Sequence, residues 1–160
     1  MGELCAQFIA AFLATVAFAV LVNAPRGELL YAGVTGALGW LVYCLCLRGG
    51  LSAVSASFLA ALALAFVSRI FAVARRCPAT VFLIGGIFAL VPGAGVYYMA
   101  YYFIQGDNQA AFANGFGALQ VAIALAVGIV LVMALPGRLF RVLAPKKREK
   151  TEPETARGSK

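Results

Sequence analysis

The chain alternates long apolar runs with short polar joints. The runs cover Leu4–Val22, Leu29–Leu47, Leu51–Ile70, Ala79–Ile104 and Ala110–Leu135. One helical crossing of a bilayer takes about 20 predominantly apolar residues. The pattern therefore predicts an all-α, polytopic membrane helical bundle of five spans. Only Arg48-Gly49-Gly50 parts the second run from the third, which demands a tight antiparallel hairpin. Cys77-Pro78 closes the third, because the residue before a proline is pushed out of the α region.

The fourth run has a break in it. Ala79–Val91 is about thirteen residues, or roughly 20 Å of helix, against a hydrocarbon core of about 30 Å. Pro92-Gly93-Ala94-Gly95 interrupts it, and Val96–Ile104 continues. The two pieces together are expected to cross once, as a helix broken at Pro92-Gly93.

Composition supports the bilayer as solvent. Of the 160 residues, 63% are hydrophobic and 12% charged, with a mean hydropathy of +0.93. Soluble domains run nearer 45–50% apolar and about 25% charged. Glu3 is the only early charge, so the first run lacks the basic start of a cleavable signal and is expected to stay as a span.

The net charge of +7 is unevenly spread. Arg138, Arg141, Lys146, Lys147, Arg148 and Lys150 crowd the end of the chain, and residues 143–160 read as a basic, disordered cytoplasmic tail facing anionic lipids. No second basic module accompanies it, so no nucleic-acid partner is expected. With that tail inside, five crossings place the Arg69/Arg75/Arg76 joint and Arg26 inside. Only Arg48 then lies outside, and the topology is N-out, C-in.

Little in the chain can do covalent chemistry. There is no histidine, Cys5, Cys44, Cys46 and Cys77 form no C-x-x-C pair, and no acidic residue falls within a run. No catalytic residue, metal site or cofactor is expected. The break is the candidate site, since non-helical backbone at membrane depth persists only where protein or a wet cavity satisfies it. A half-helix N-terminus offers free N–H groups and a positive dipole end to an anion. Here those amides would belong to Gly95, Val96, Tyr97 and Tyr98, beside Pro92 and Gly93. A packed proline kink is the other reading. Tyr101 and Tyr102 fit an interfacial aromatic belt, while Tyr97 or Tyr98 could reach a cavity. Asn114 and Gln120 are uncharged polar groups suited to pairing or to lining a path. Arg69 either snorkels to the interface or holds a substrate carboxylate.

Pro78-x-x-Val81-Phe82, Val91-Pro92-Gly93 with Tyr97 four residues on, Asn23-x-Pro25-Arg26 and Pro136-Gly137 together resemble the threonine/serine exporter family. The chain is similar in length and hydropathy to that family's small stand-alone half. The resemblance covers roughly residues 4–142. It implies a secondary exporter in the bacterial inner membrane, a larger membrane subunit as partner, and a small carboxylate substrate such as threonine, serine or succinate. A homo-oligomer, a structural subunit and a passive channel stay open beside it. Without an acid in its own spans, the chain is expected to rely on its partner for any coupling proton.

Overall fold

The computed structural model describes residues 2–137 and Phe140, and these residues are all helical or loop, with no strand. The order is α1 (Gly2–Leu21), a single 3-10 turn (Arg26–Glu28), α2 (Leu29–Arg48), α3 (Ala53–Arg75), α4 (Ala79–Ile87), α5 (Gly93–Ile104) and α6 (Asn108–Ala134). Four helices are long and apolar enough to cross a membrane: α1, α2 with its preceding turn, α3 and α6. At 9 and 12 residues, α4 and α5 are each too short to do so alone. The basic cluster from Arg138 and the tail at 143–160 lie outside the described residues.

Local chemistry sets the helix ends. Ser52 caps α3, its Oγ accepting from Ser55 N at 3.3 Å, and Asp107 caps α6 by accepting from Ala110 N at 3.0 Å. These caps explain why α3 begins at Ala53 and α6 at Asn108 rather than at Leu51 and Ala110. Gly50 and Gly106 take positive φ of 84° and 80°, which lets both hairpins turn within a few residues. Arg76 ends α3 in the left-handed region, carrying the helix five residues past Ile70. Such a cap is more often glycine.

The interior consists mostly of small residues. Ala32, Ala37, Ala56, Ala60, Ala61 and Ala65 are fully buried, while large side chains such as Leu13, Ile104 and Phe112 point outward. This inverts the soluble pattern. Lipid gives helices no hydrophobic reason to associate, so close backbone approach and dispersion must hold them together. A methyl group on Gly33 would come within 2.6 Å of Phe12 and Val16, and one on Gly36 would collide with the Thr15 side chain. On Gly86 it would stand 2.6 Å from Leu64 and 3.2 Å from the Gly36 backbone. Buried Thr15, Thr35 and Ser68 hydroxyls donate to carbonyls one turn back at 2.8 Å, leaving no buried side-chain polar atom unpaired among the described residues.

The register of the helices follows from their pairings. Glu3 meets Arg48, Gln7 meets Trp40 and Ala19 packs with Ala32, so α1 and α2 are antiparallel. Gly39 against Leu64 continues the antiparallel order into α3. In contrast α6 runs parallel to α3: Gly128 lies on Ala61, and Arg69 reaches Val132. α4 is wedged among α1, α2 and α3, whereas α5 packs on α6.

Candidate functional site

Between Ile87 and Gly93 the backbone leaves helical geometry. Ile87 O accepts from both Leu90 N (2.9 Å) and Val91 N (3.1 Å), a tight turn that ends α4 four residues before the expected Val91. Pro92 has no N–H to continue the ladder. It becomes the N-cap of α5 instead, with Gly93 N donating to Val91 O at 2.7 Å and Val96 N to Pro92 O at 3.3 Å. This corrects the expected set of amides. Val96 is already bonded, and Tyr97 and Tyr98 lie inside the α5 ladder. Among the described residues, the amides of Ala94 and Gly95 have no protein acceptor. The reason is simple: α5 starts directly after Pro92, a turn earlier than that set assumed.

The depth of this junction can be read from its neighbours. Leu90 packs with Ala60 and Ala61 of α3, and Ala89 lines a small crevice of about 220 Å³ with Gln7, Ala10 and Trp40. Ala60 lies seven residues into α3, about 10 Å from its start. Gly95, next along, rests on α6, where an added Cβ would meet Ala118 Cβ at 3.0 Å and Asn114 O at 3.4 Å. Gly93 has open space around its Cα. The start of α5 therefore lies toward the Arg48 end of the bundle.

Among the remaining candidates, only some come near this point. Tyr97 and Tyr98 are 63% and 46% exposed and face away from the bundle. Tyr97 stacks on Tyr101 and Tyr98 tilts on Tyr102, which makes an aromatic ladder along the outside of α5. Asn114 donates to Ala110 O at 2.8 Å within its own helix. Gln120 is two residues along α6 from Ala118, on which Gly95 rests. It lines a groove of about 630 Å³ between the start of α3 and the middle of α6, with Ser55 and otherwise apolar residues such as Phe58, Leu59 and Ile123.

Arg69 is farthest from the break. Its Nη1 donates to Val132 O (2.9 Å), Met133 O (2.9 Å) and Leu135 O (2.7 Å), and its guanidinium covers the Phe140 ring at 4.5 Å. Met133 O and Leu135 O lie where the end of α6 leaves carbonyls without helical partners, whereas Val132 O also accepts from Leu135 N at 3.2 Å. Arg69 caps that end.

Sequence reasoning missed three polar pairings. Gln7 Oε1 accepts from Trp40 Nε1 at 2.8 Å, beside the crevice under Ala89. Glu3 accepts from Arg48 at 2.9 Å, an exposed ion pair that joins the start of α1 to the end of α2. Glu28, which lies between the apolar runs, is 7% exposed and binds Arg75. One sequence signal could have pointed to it: among the described residues Glu28 is the only acid near Arg26, Arg69, Arg75 and Arg76, which gather at one end of the bundle.

Comparison with known proteins identifies a family. The family model described as "Threonine/Serine exporter, ThrE" matches residues 7–135. A Corynebacterium glutamicum protein named "Threonine/serine exporter" is 32% identical over 136 residues, which is 85% of this chain but 28% of that protein. The chain thus spans little more than a quarter of the relative's length. No solved structure matches it. With a family match running from α1 through to the end of α6, the chain is a multi-pass membrane protein that belongs to the threonine/serine exporter family.

Proposed function

We propose that this chain is the small subunit of a two-component secondary exporter of small carboxylate-bearing metabolites, threonine and serine first and dicarboxylates such as succinate second. The observation that carries the reading is the match at 85% of this chain to 28% of a named exporter. In this reading the part of that exporter which the chain does not match is supplied by a second membrane chain. The larger subunit of the same family is the partner we assign. The bacterial inner membrane is the location, with anionic lipids against the basic tail.

In this reading α4 and α5 together form one broken crossing, giving five spans with the N-terminus out and the C-terminus in. The substrate carboxylate sits at the start of α5, taken by the amides of Ala94 and Gly95 beside Pro92 and Gly93. Two features support this. A helix start presents unpaired donors and the positive end of its dipole to an anion, and the open space at Gly93 lets a ligand reach the backbone. In this reading the partner chain supplies the other wall of the site. Gln120, at the α3–α6 groove, lies on the path or pairs with that partner.

A structural role is the second reading. Arg69 and Asn114 are already engaged within the fold, which favours a subunit that scaffolds a partner's substrate site.

The test is efflux of preloaded labelled threonine and succinate from proteoliposomes holding this chain, the larger chain, or both. The two-component reading expects efflux only with both. Efflux from this chain alone refutes it, and assembly of both without efflux of either compound refutes the substrate class.

A further inference from the structure

The hairpin of α5 and the first half of α6 stands out beyond the rest of the bundle. Gly128 of α6 lies level with Ala61 and the Phe58 carbonyl of α3, and the two helices run parallel. Ala61 is eight residues from the start of α3 at Ala53, about 12 Å of helix. Gly128 is twenty residues from the start of α6 at Asn108, about 30 Å. The beginning of α6 therefore reaches roughly 18 Å further than the beginning of α3. α5 runs beside this extension: Gly95 rests on Ala118, and Met99 lies on Gly115, one turn nearer the tip. Residues 93–119 thus form an arm of two antiparallel helical pieces, turned at Gly106 and Asp107.

Charged groups bracket the shorter helices. Glu3 and Arg48 pair in the open at one end of α1 and α2, and Arg26, Arg75 and Arg76 lie at the other. At 23 residues, or about 34 Å, α3 already fills a hydrocarbon core of about 30 Å. The arm begins near the level of the Glu3–Arg48 pair and continues outward from it, past the core. Its surface is unsuited to water. Phe103, Ile104 and Phe112, close to the tip, are 69%, 84% and 74% exposed, and none of the residues of α5 is buried. An aromatic side chain carries about 150–250 Å², so the exposed apolar side chains of the arm together offer on the order of 1,000 Å². A stable interface takes about 800 Å² from each partner, and soluble surfaces rarely leave so large a patch bare.

We infer that a second copy of this chain covers the arm, in a two-fold dimer whose α6 helices meet along Phe112, Phe116 and Leu119. Copies inserted in one membrane share an orientation, so their arms project from the same face to the same height. Each neighbouring copy thus presents a helical apolar surface at the level where one is needed. Charge points the same way. Between Gly93 and Gly137 the one charged side chain is Asp107, which is engaged in capping α6, so the surface calls for no oppositely charged partner and suits itself. Phe112, Phe116, Leu119, Ile123 and Val130 are all exposed and follow one another at spacings of four, three, four and seven residues. That is the 3.5-residue repeat of a left-handed helix pair, and a parallel pair is what copies of one orientation form. The contact is isologous, so each residue near the axis meets its own counterpart. It does not depend on the exporter reading.

The test uses the full chain in membranes, with its native cysteines replaced by alanine and one cysteine added as Phe112→Cys, Phe116→Cys or, on the outward face of α1, Ile9→Cys. Oxidation is expected to give a disulfide-linked species of twice the 16.7 kDa of one chain from the two α6 variants and not from Ile9→Cys. No such species from α6, or equal amounts from all three positions, overturns the proposal. Energy transfer between labelled copies in liposomes is then followed as lipid is added. The parent is expected to stay paired at lipid dilutions at least tenfold beyond those that separate Phe112→Ser combined with Phe116→Ser. Both side chains are exposed, so helix content should not change, and the disulfides decide the matter if that variant fails to fold. A double variant that separates at the same dilution as the parent overturns the proposal. Where the larger membrane chain is co-expressed, a benzophenone attached at Phe116→Cys is expected still to capture a second copy of this chain. Capture of the larger chain in its place assigns the arm to that chain and overturns the dimer.

Discussion

Replacing Arg69 with methionine separates a capping role from a substrate-binding one. Methionine keeps most of the side chain's length and apolar stem but removes every donor. Arg69 serves three carbonyls, those of Val132, Met133 and Leu135, at 2.7 to 2.9 Å. All three bonds come from Nη1, which carries only two hydrogens, so the interaction is worth about two bonds and not three. Hydrogen bonds to charged groups contribute about 1.5–3 kcal/mol each, which sets a ceiling of about 6 kcal/mol. The Leu135 bond is exposed, and water near the helix end can replace part of what is lost. A net cost of about 2–3 kcal/mol follows. For a chain of this size each kcal/mol moves Tm by about 2–4 °C, so a fall of about 4–12 °C is expected in detergent. Amide exchange should speed up selectively in the last turns of α6. Export should fall only in proportion to folded protein. An Arg69→Met chain that keeps its Tm and α6 protection, yet loses transport outright, would falsify the capping assignment and make Arg69 a substrate contact.

Three further outcomes are expected. Gly128→Leu drives a side chain into Ala61 and the Phe58 carbonyl, which an added Cβ alone would already meet at 2.9 and 3.0 Å. Overpacking of about 1–3 kcal/mol or more should lower Tm and loosen α3 from α6, and unchanged thermal unfolding would refute that close approach. Gly93→Leu and Gly95→Leu should part company. Gly93 faces open space, so its variant folds normally but loses export, whereas Gly95→Leu strikes Ala118 and destabilises the α5–α6 pair. Equal export by Gly93→Leu and the parent would remove the start of α5 from the site. Glu3→Gln should leave Tm unchanged within error, because an exposed ion pair is worth at most about 1 kcal/mol; a clear fall would mean that the Arg48 pair is shielded from water.

How far the site was legible depends on the kind of interaction that makes it. Pro92 between two short apolar pieces marked the break, because proline's missing N–H is a local property that no packing can restore. The amides left free there could not be counted in advance. Their number depends on whether Pro92 itself takes the N-cap position, and the turn at Ile87 decides that. Arg69 could be placed near an interface from its position in a run, but its partners lie 63 to 66 residues away on α6. The burial of Glu28 was hidden for the same reason. That burial depends on Arg75, 47 residues on, and on Tyr31 covering the pair.

What the sequence determined by itself was the solvent and the helices: apolar runs too long for water, glycine and proline at the joints, and small residues where backbones must meet. Those signals are local, since each backbone satisfies its hydrogen bonds within its own helix once lipid replaces water. Tertiary structure alone decided the rest: that α6 lies parallel to α3, that α5 stands on α6 while α4 enters the core, and that one acid is buried against one arginine. These choices rest on contacts between distant segments. In a chain whose runs are nearly uniform in hydrophobicity, nothing in the local pattern distinguishes one pairing of helices from another.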